Sequence, residues 1–172
     1  MTPEPVVWLL PALLLLAAGW DLWRMQIPNT LCAVLALGFV ACALLAGLPW
    51  PTLLIQLGIG LATLVITIVL FAFRLFGGGD GKLLAATVMW YAPTALPLLV
   101  LGMALIGGAL ALFFLLLRRR PLPPRLAAWP WLARLHRRDA GIPYAPAIAG
   151  GGLIALPVSI GMGLLIAAAL GR

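Results

Sequence analysis

Acidic side chains are what this sequence has least of: four Asp and Glu among 172 residues, against eleven Lys and Arg. Charged residues make up only 9% of the chain and 65% of it is hydrophobic, a balance that a water-soluble domain of this length does not sustain. Reactive side chains are equally scarce. There is one serine, Ser159, and one histidine, His136. Pro157 stands where a serine nucleophile elbow requires glycine, and His136 would have to reach from a polar loop deep into an apolar run, so the sequence argues against serine hydrolase chemistry. The two cysteines, Cys32 and Cys42, lie in one apolar run without CxxC spacing. With a single histidine they form neither a zinc ligand set nor a thiolate–imidazole pair, and read as small core or lipid-facing residues. Neither metal nor cofactor is expected.

What the sequence has in abundance is long apolar runs. A transmembrane helix needs roughly 20 such residues to cross a ~30 Å hydrocarbon layer. Residues 6–23, 30–49, 52–73, 98–117 and 144–170 each qualify. Residues 83–117 as one helix would extend about 52 Å, too long for a single crossing. Pro93 and Pro97 therefore mark a turn, with a short helix before it. The fold class expected is all-α: a polytopic membrane protein of six transmembrane helices with a short fourth helix. Residues 1–172 read as one transmembrane domain with a basic loop at 118–143 and no internal repeat.

Charge placement orients this arrangement. With six spans and the N-terminus outside, ten of the eleven basic residues fall in cytoplasmic loops and only Arg172 falls outside, as the positive-inside rule requires. Both termini are expected outside. The opening "MTPEPVVW" has no basic n-region, so the first run reads as a retained span and not a cleaved signal. The loop 118–138 interleaves arginines with Trp129, Trp131, Leu132 and Leu135, the composition of a segment lying against anionic lipid headgroups. Membrane contact accounts for the net charge of +7; nothing there reads bases, so no nucleic acid is expected.

The stretch "FGGGDGK", residues 76–82, invites a nucleotide reading that fails position by position. A phosphate loop would need glycine at Phe76 and Ser or Thr at Leu83, and a dinucleotide loop would need glycine at Lys82. What remains is carboxylate chemistry. Glu4 and Asp139 read as solvated charges at an outer terminus and in the arginine loop. Asp21 and Asp80 differ, because each sits at the inner edge of an apolar run. An ionisable group at membrane depth costs about 3 kcal/mol on insertion scales and such groups usually face the bundle interior. Brought within hydrogen-bond range, the two carboxylates would titrate as a coupled pair, one as base toward water and one as acid toward the leaving group. Gly77, Gly78 and Gly79 would let the backbone turn sharply and a substrate strand approach closely. Two alternatives stay open: ion pairs with Arg24 or Arg74, and a small proton- or cation-coupled transporter using Asp21 and Asp80.

Three motifs carry a resemblance across nearly the whole chain. "GGGDGKLLAA" contains Gly-x-Gly-Asp at residues 77–80, "DLWRMQIPN" at 21–29 has Asp followed by Ile-Pro-Asn, and "IPYAPAIAGG" at 142–151 opens the last run. In this order they resemble the type IV prepilin peptidases, of the small kind associated with tight-adherence (Flp) pili. The resemblance implies an aspartic endopeptidase of the bacterial inner membrane. Its partner would be a prepilin precursor, cut on the cytoplasmic side after a glycine, between a short basic leader and a hydrophobic helix. It assigns the catalytic pair to Asp21 and Asp80. Larger members also methylate the product and carry a cysteine-rich zinc loop after the first span; that loop is absent, and methylation does not carry over. Relatives often have a larger residue at Gly81, so a loosened start of the fourth helix is expected. Pro28 and Asn29 are expected to open the second span, with Asn29 as a cap or loop ligand. Lys82 is expected to hold the membrane boundary or a lipid phosphate, and Pro143 and Tyr144 to line the cleft from the last span.

Overall fold

A computed structural model describes residues 4–137 and 139–158, and every element among them is helical. The apolar runs become α1 (Glu4–Arg24), α2 (Asn29–Leu45), α3 (Trp50–Ala72), α4 (Gly78–Val88), α5 (Leu96–Leu117) and α8 (Ala145–Ala155). Between α5 and α8 the basic loop carries two short helices, α6 (Pro124–Ala127) and α7 (Pro130–His136). Among the described residues, two helical runs, Trp50–Ala72 and Pro93–Leu117, are long and apolar enough to cross a membrane, while Asn29–Leu45 and Ala145–Ala155 are shorter apolar helices. The rest of the sixth run, with Ser159, lies outside the described residues.

The short fourth helix starts earlier and ends sooner than the apolar run 83–97. Gly77 in extended backbone precedes it, and at 11 residues it rises only about 16 Å. It stops because Trp90 and Tyr91 fold into a tight turn on the Thr87 and Val88 carbonyls. Ala92 is then forced extended by Pro93 (ψ 149°). A 3-10 turn at Pro93–Ala95 reverses the chain and Pro97 sits in the first turn of α5, where its missing N–H is no loss.

This short helix is the centre of the packing. Every residue from Leu83 to Tyr91 is buried, with α2, α3 and α8 packed around it. Its polar side chains are spent on neighbours: Trp90 Nε1–H donates to the Leu35 carbonyl at 3.1 Å and Tyr91 O–H to the Gly152 carbonyl at 2.7 Å. Small residues allow close approach elsewhere. A side-chain carbon on Gly151 would lie 2.5 Å from the Leu99 carbonyl, so α5 and α8 touch backbone to backbone, as small-residue interfaces do in membranes. The large apolar side chains of α3 and α5, Leu61, Ile66, Leu105 and Leu115 among them, point outward and stay exposed, which suits lipid and not water.

Gly81 overturns one expectation. It is buried, and an added carbon would meet Thr67 of α3 at 2.8 Å. Glycine here tightens the start of α4 against α3 and does not loosen it.

Candidate active site

Asp21 lies in the last turn of α1 and is only 5% exposed. Its position is fixed by the far end of the sequence. Tyr144 precedes α8 without offering a side-chain cap, which leaves the first N–H groups of that helix in need of an acceptor. The Asp21 carboxylate supplies it, with Oδ2 accepting the Ala145 N–H at 3.1 Å. A carboxylate is electrostatically favoured at a helix N-terminus. The "IPYAPAIAGG" motif thus gains a physical role: the start of α8 orients Asp21.

Asp80 stands in the first turn of α4 and folds back over the residue that precedes the helix. A side-chain carbon on Gly77 would collide with Asp80 Oδ2. The other two glycines face the protein itself: the added carbon would touch the Phe71 ring at 3.3 Å from Gly78 and Ile27 at 3.4 Å from Gly79. Gly77 makes room for the Asp80 carboxylate and Gly78 for the Phe71 ring of α3, while at Gly79 an added carbon would make only ordinary contact with Ile27.

The two aspartates line the same two hollows. One is an open cleft of about 1110 Å³ walled by Phe71, Phe76, Arg74, Arg134, Pro143 and Tyr144, among others. The other, about 380 Å³, is walled by Gln26, Ile27, Asn29, Lys82 and the three glycines. Asp21, Met25, Gly77 and Asp80 belong to both, so the carboxylates stand where the hollows meet. Phe76 and Tyr144 stack edge to face, centroids 5.6 Å apart, closing one side of the larger cleft. Between them the hollows offer two carboxylates and aromatic walls, groups that can carry acid–base chemistry.

The remaining predicted residues divide. Pro143 and Tyr144 line the larger cleft only; Gly78, Gly79, Asn29 and Lys82 line the smaller one only; Pro28 lines neither. Pro28, in extended backbone, is the residue before α2, and no side chain caps that helix. Asn29 is thus not a cap. Its Oδ1 accepts from Lys82 Nζ at 2.9 Å, an exposed bond that ties α2 to α4.

The backbone of two lining residues escapes sequence reasoning. Met25 (φ 56°) and Arg74 (φ 59°) are left-handed, immediately after the ends of α1 and α3, where glycine or asparagine is usual. Each costs about 1–2 kcal/mol, and strain of this kind gathers at functional sites. No sequence signal announces it, because neither residue type favours that backbone.

The basic loop folds toward the same end of the bundle. Arg118 donates to the Leu135, Ala140 and Gly141 carbonyls at 2.8–3.0 Å, and Arg134 reaches the Trp23 and Arg24 carbonyls at 3.4 Å. Arg24 lies over the Trp23 ring, 4.8 Å from its centroid, in an aromatic and basic belt. Asp139, expected to be solvated, is exposed and paired with Arg137, whose guanidinium holds its carboxyl below the usual carboxylate range.

Comparison with known proteins gives one match. The sequence model of the type IV leader peptidase family covers residues 8–112, more than half of the chain, a range that includes Asp21 and Asp80 and stops short of Tyr144. No curated protein sequence and no solved structure matches significantly.

Proposed function

The chain belongs to the type IV leader peptidase family, and from that premise we propose a membrane-embedded aspartic endopeptidase. It removes the basic leader from type IV prepilins of the Flp kind, cutting after a glycine at the cytoplasmic boundary of the bacterial inner membrane. Asp21 and Asp80 are its catalytic pair. The observation that carries this reading is that two carboxylates from separate helices, α1 and α4, line one junction between two hollows.

The chemistry follows from that junction. One carboxylate takes a proton from water, the water oxygen attacks the scissile carbonyl, and the partner, protonated, donates to the developing oxyanion. As the C–N bond breaks, the first carboxyl passes the proton it took from water to the leaving amine, and the partner recovers its own from the gem-diol hydroxyl. The Ala145 N–H held on Asp21 Oδ2 keeps that carboxylate from rotating, so its geometry is set before substrate arrives. Six spans, with both termini outside and the arginine loop inside against anionic lipid, complete the proposal; the charge asymmetry of the loops supports this orientation.

The test is leader removal from a prepilin by the purified enzyme in detergent or liposomes. Asp21→Asn and Asp80→Asn each abolish it while the protein still inserts and melts as wild type does. Cleavage by either variant at the wild-type rate sinks the assignment of the pair.

A further inference from the structure

We propose that the groove between α2 and α3, floored by α4, holds the apolar segment of the substrate that follows the scissile bond, so that the substrate enters sideways from the lipid. The proposal rests on the peptidase reading above. The groove measures about 460 Å³ and is lined by Ala33 and Ala36 of α2, Gly60 and Leu61 of α3, Ala85 of α4 and Met89 just after it, among others. Helices α2 and α3 both pack on α4 and only slightly on each other, and Ala33 and Leu61 are exposed, so the groove opens toward the membrane. Gly60 is already covered by the Met89 side chain, so the approach is along α2, where the small side chains of Ala33 and Ala36 admit an apolar segment to close contact, the way helices associate in lipid.

The occupant is identified by where the groove leads. Its polar lining is Asn29 and Lys82, and these same two residues line the smaller hollow beside Asp21 and Asp80. An apolar segment lying in the groove therefore runs to the carboxylates. To be cut, a helical segment must unwind at the scissile bond, which frees N–H and C=O groups at membrane depth, where each needs a partner. Lys82 spends one N–H on Asn29 and has two more donors, and the Asn29 amide adds donors of its own. A resident lipid chain would need neither this polar pair nor its continuity with the site.

The experiment uses the full-length protein with Asp80→Asn, so that bound substrate is not released, in membranes containing a full-length prepilin. The photo-crosslinker p-benzoylphenylalanine is placed at position 33, at position 61, and at position 105 on the outward face of α5 as control. Adducts from positions 33 and 61, several-fold more abundant than from 105, map by mass spectrometry to the prepilin's apolar residues after the cut. Adducts only with lipid, only with the leader, or equal yields at all three positions overturn the proposal. In the otherwise wild-type enzyme, Ala36→Trp fills the groove and raises KM for prepilin about tenfold, roughly 1.4 kcal/mol, with kcat within about twofold; the control Leu105→Trp changes neither. If wild-type protein fails to cleave prepilin, the peptidase reading falls. If cleavage needs Asp80 but Ala36→Trp leaves KM unchanged, the groove falls alone.

Discussion

The two ends of α4 are built differently. Toward its C-terminus, every side chain from Leu83 to Tyr91 is buried, and Trp90 and Tyr91 bond across to α2 and α8. At its N-terminus, Gly77 is exposed, Asp80 is partly so, no side chain caps the helix, and one exposed bond, Lys82 to Asn29, ties it sideways. A single 11-residue helix thus joins a rigid anchor to an open reactive end. The lesson is that a carboxylate at an open helix end can be positioned by the packing of the helix behind it. Precision at Asp80 comes from packing several turns away, whereas Asp21 takes its precision from a direct bond at its own oxygen.

The largest effect should follow from crowding the open end. Gly77→Ala puts a carbon where Asp80 Oδ2 lies while leaving the backbone content, since φ −73° is ordinary for alanine. The carboxylate has to swing away. A misplacement of about 1 Å costs on the order of 100-fold in rate, roughly 2.7 kcal/mol. The expected outcome is that fall in kcat for prepilin cleavage with little change in thermal unfolding. Gly79→Ala, whose new carbon makes ordinary contact with Ile27, should lose far less. Equal losses in the two variants would mean that the glycines serve flexibility and not room for Asp80.

How much of this was legible in sequence follows the same division. Apolar runs announced the helices because oil-facing surface must be continuous, and Pro93 announced the turn before α5 because the residue ahead of it is driven extended. That Asp21 and Asp80 are the candidate reactive groups could be read by elimination, since few others exist in the chain, and both line the same two hollows. What stayed hidden depends on contacts between distant segments. Gly78, Gly79 and Gly81 look like loop flexibility until Phe71, Ile27 and Thr67 are seen against them. Asn29 looks like a cap until Lys82 is seen bonded to it. That Asp21 would accept the first N–H of α8 is written in no local pattern. The left-handed backbone at Met25 and Arg74 runs against the preferences of both residue types.

At the anchored end the expected effect is on stability first. Tyr91→Phe removes the hydroxyl that donates to the Gly152 carbonyl at 2.7 Å and leaves that carbonyl without its side-chain donor in a buried site. The cost is about 1–2 kcal/mol, read as a lower melting temperature in detergent, with a smaller fall in kcat as α4 gains freedom against α8. An unchanged melting temperature would show that packing alone holds this end, and the contrast between the two ends would then rest on burial without hydrogen bonding.

The smallest effect belongs to the tie at the open end. Lys82→Met keeps the length and apolar stem of the side chain but removes the bond to Asn29 Oδ1 at 2.9 Å. Both residues are exposed, so water replaces the lost partner and the bond contributes only about 0.5 kcal/mol net. The melting temperature should therefore fall by less than in Tyr91→Phe. The double variant should lose the sum of the two, because separated sites with no shared partner add. A loss in Lys82→Met as large as in Tyr91→Phe would break the comparison: the open end would then be anchored as firmly as the buried one, and Asp80 would owe its position to Asn29 and α2 as much as to the core behind it.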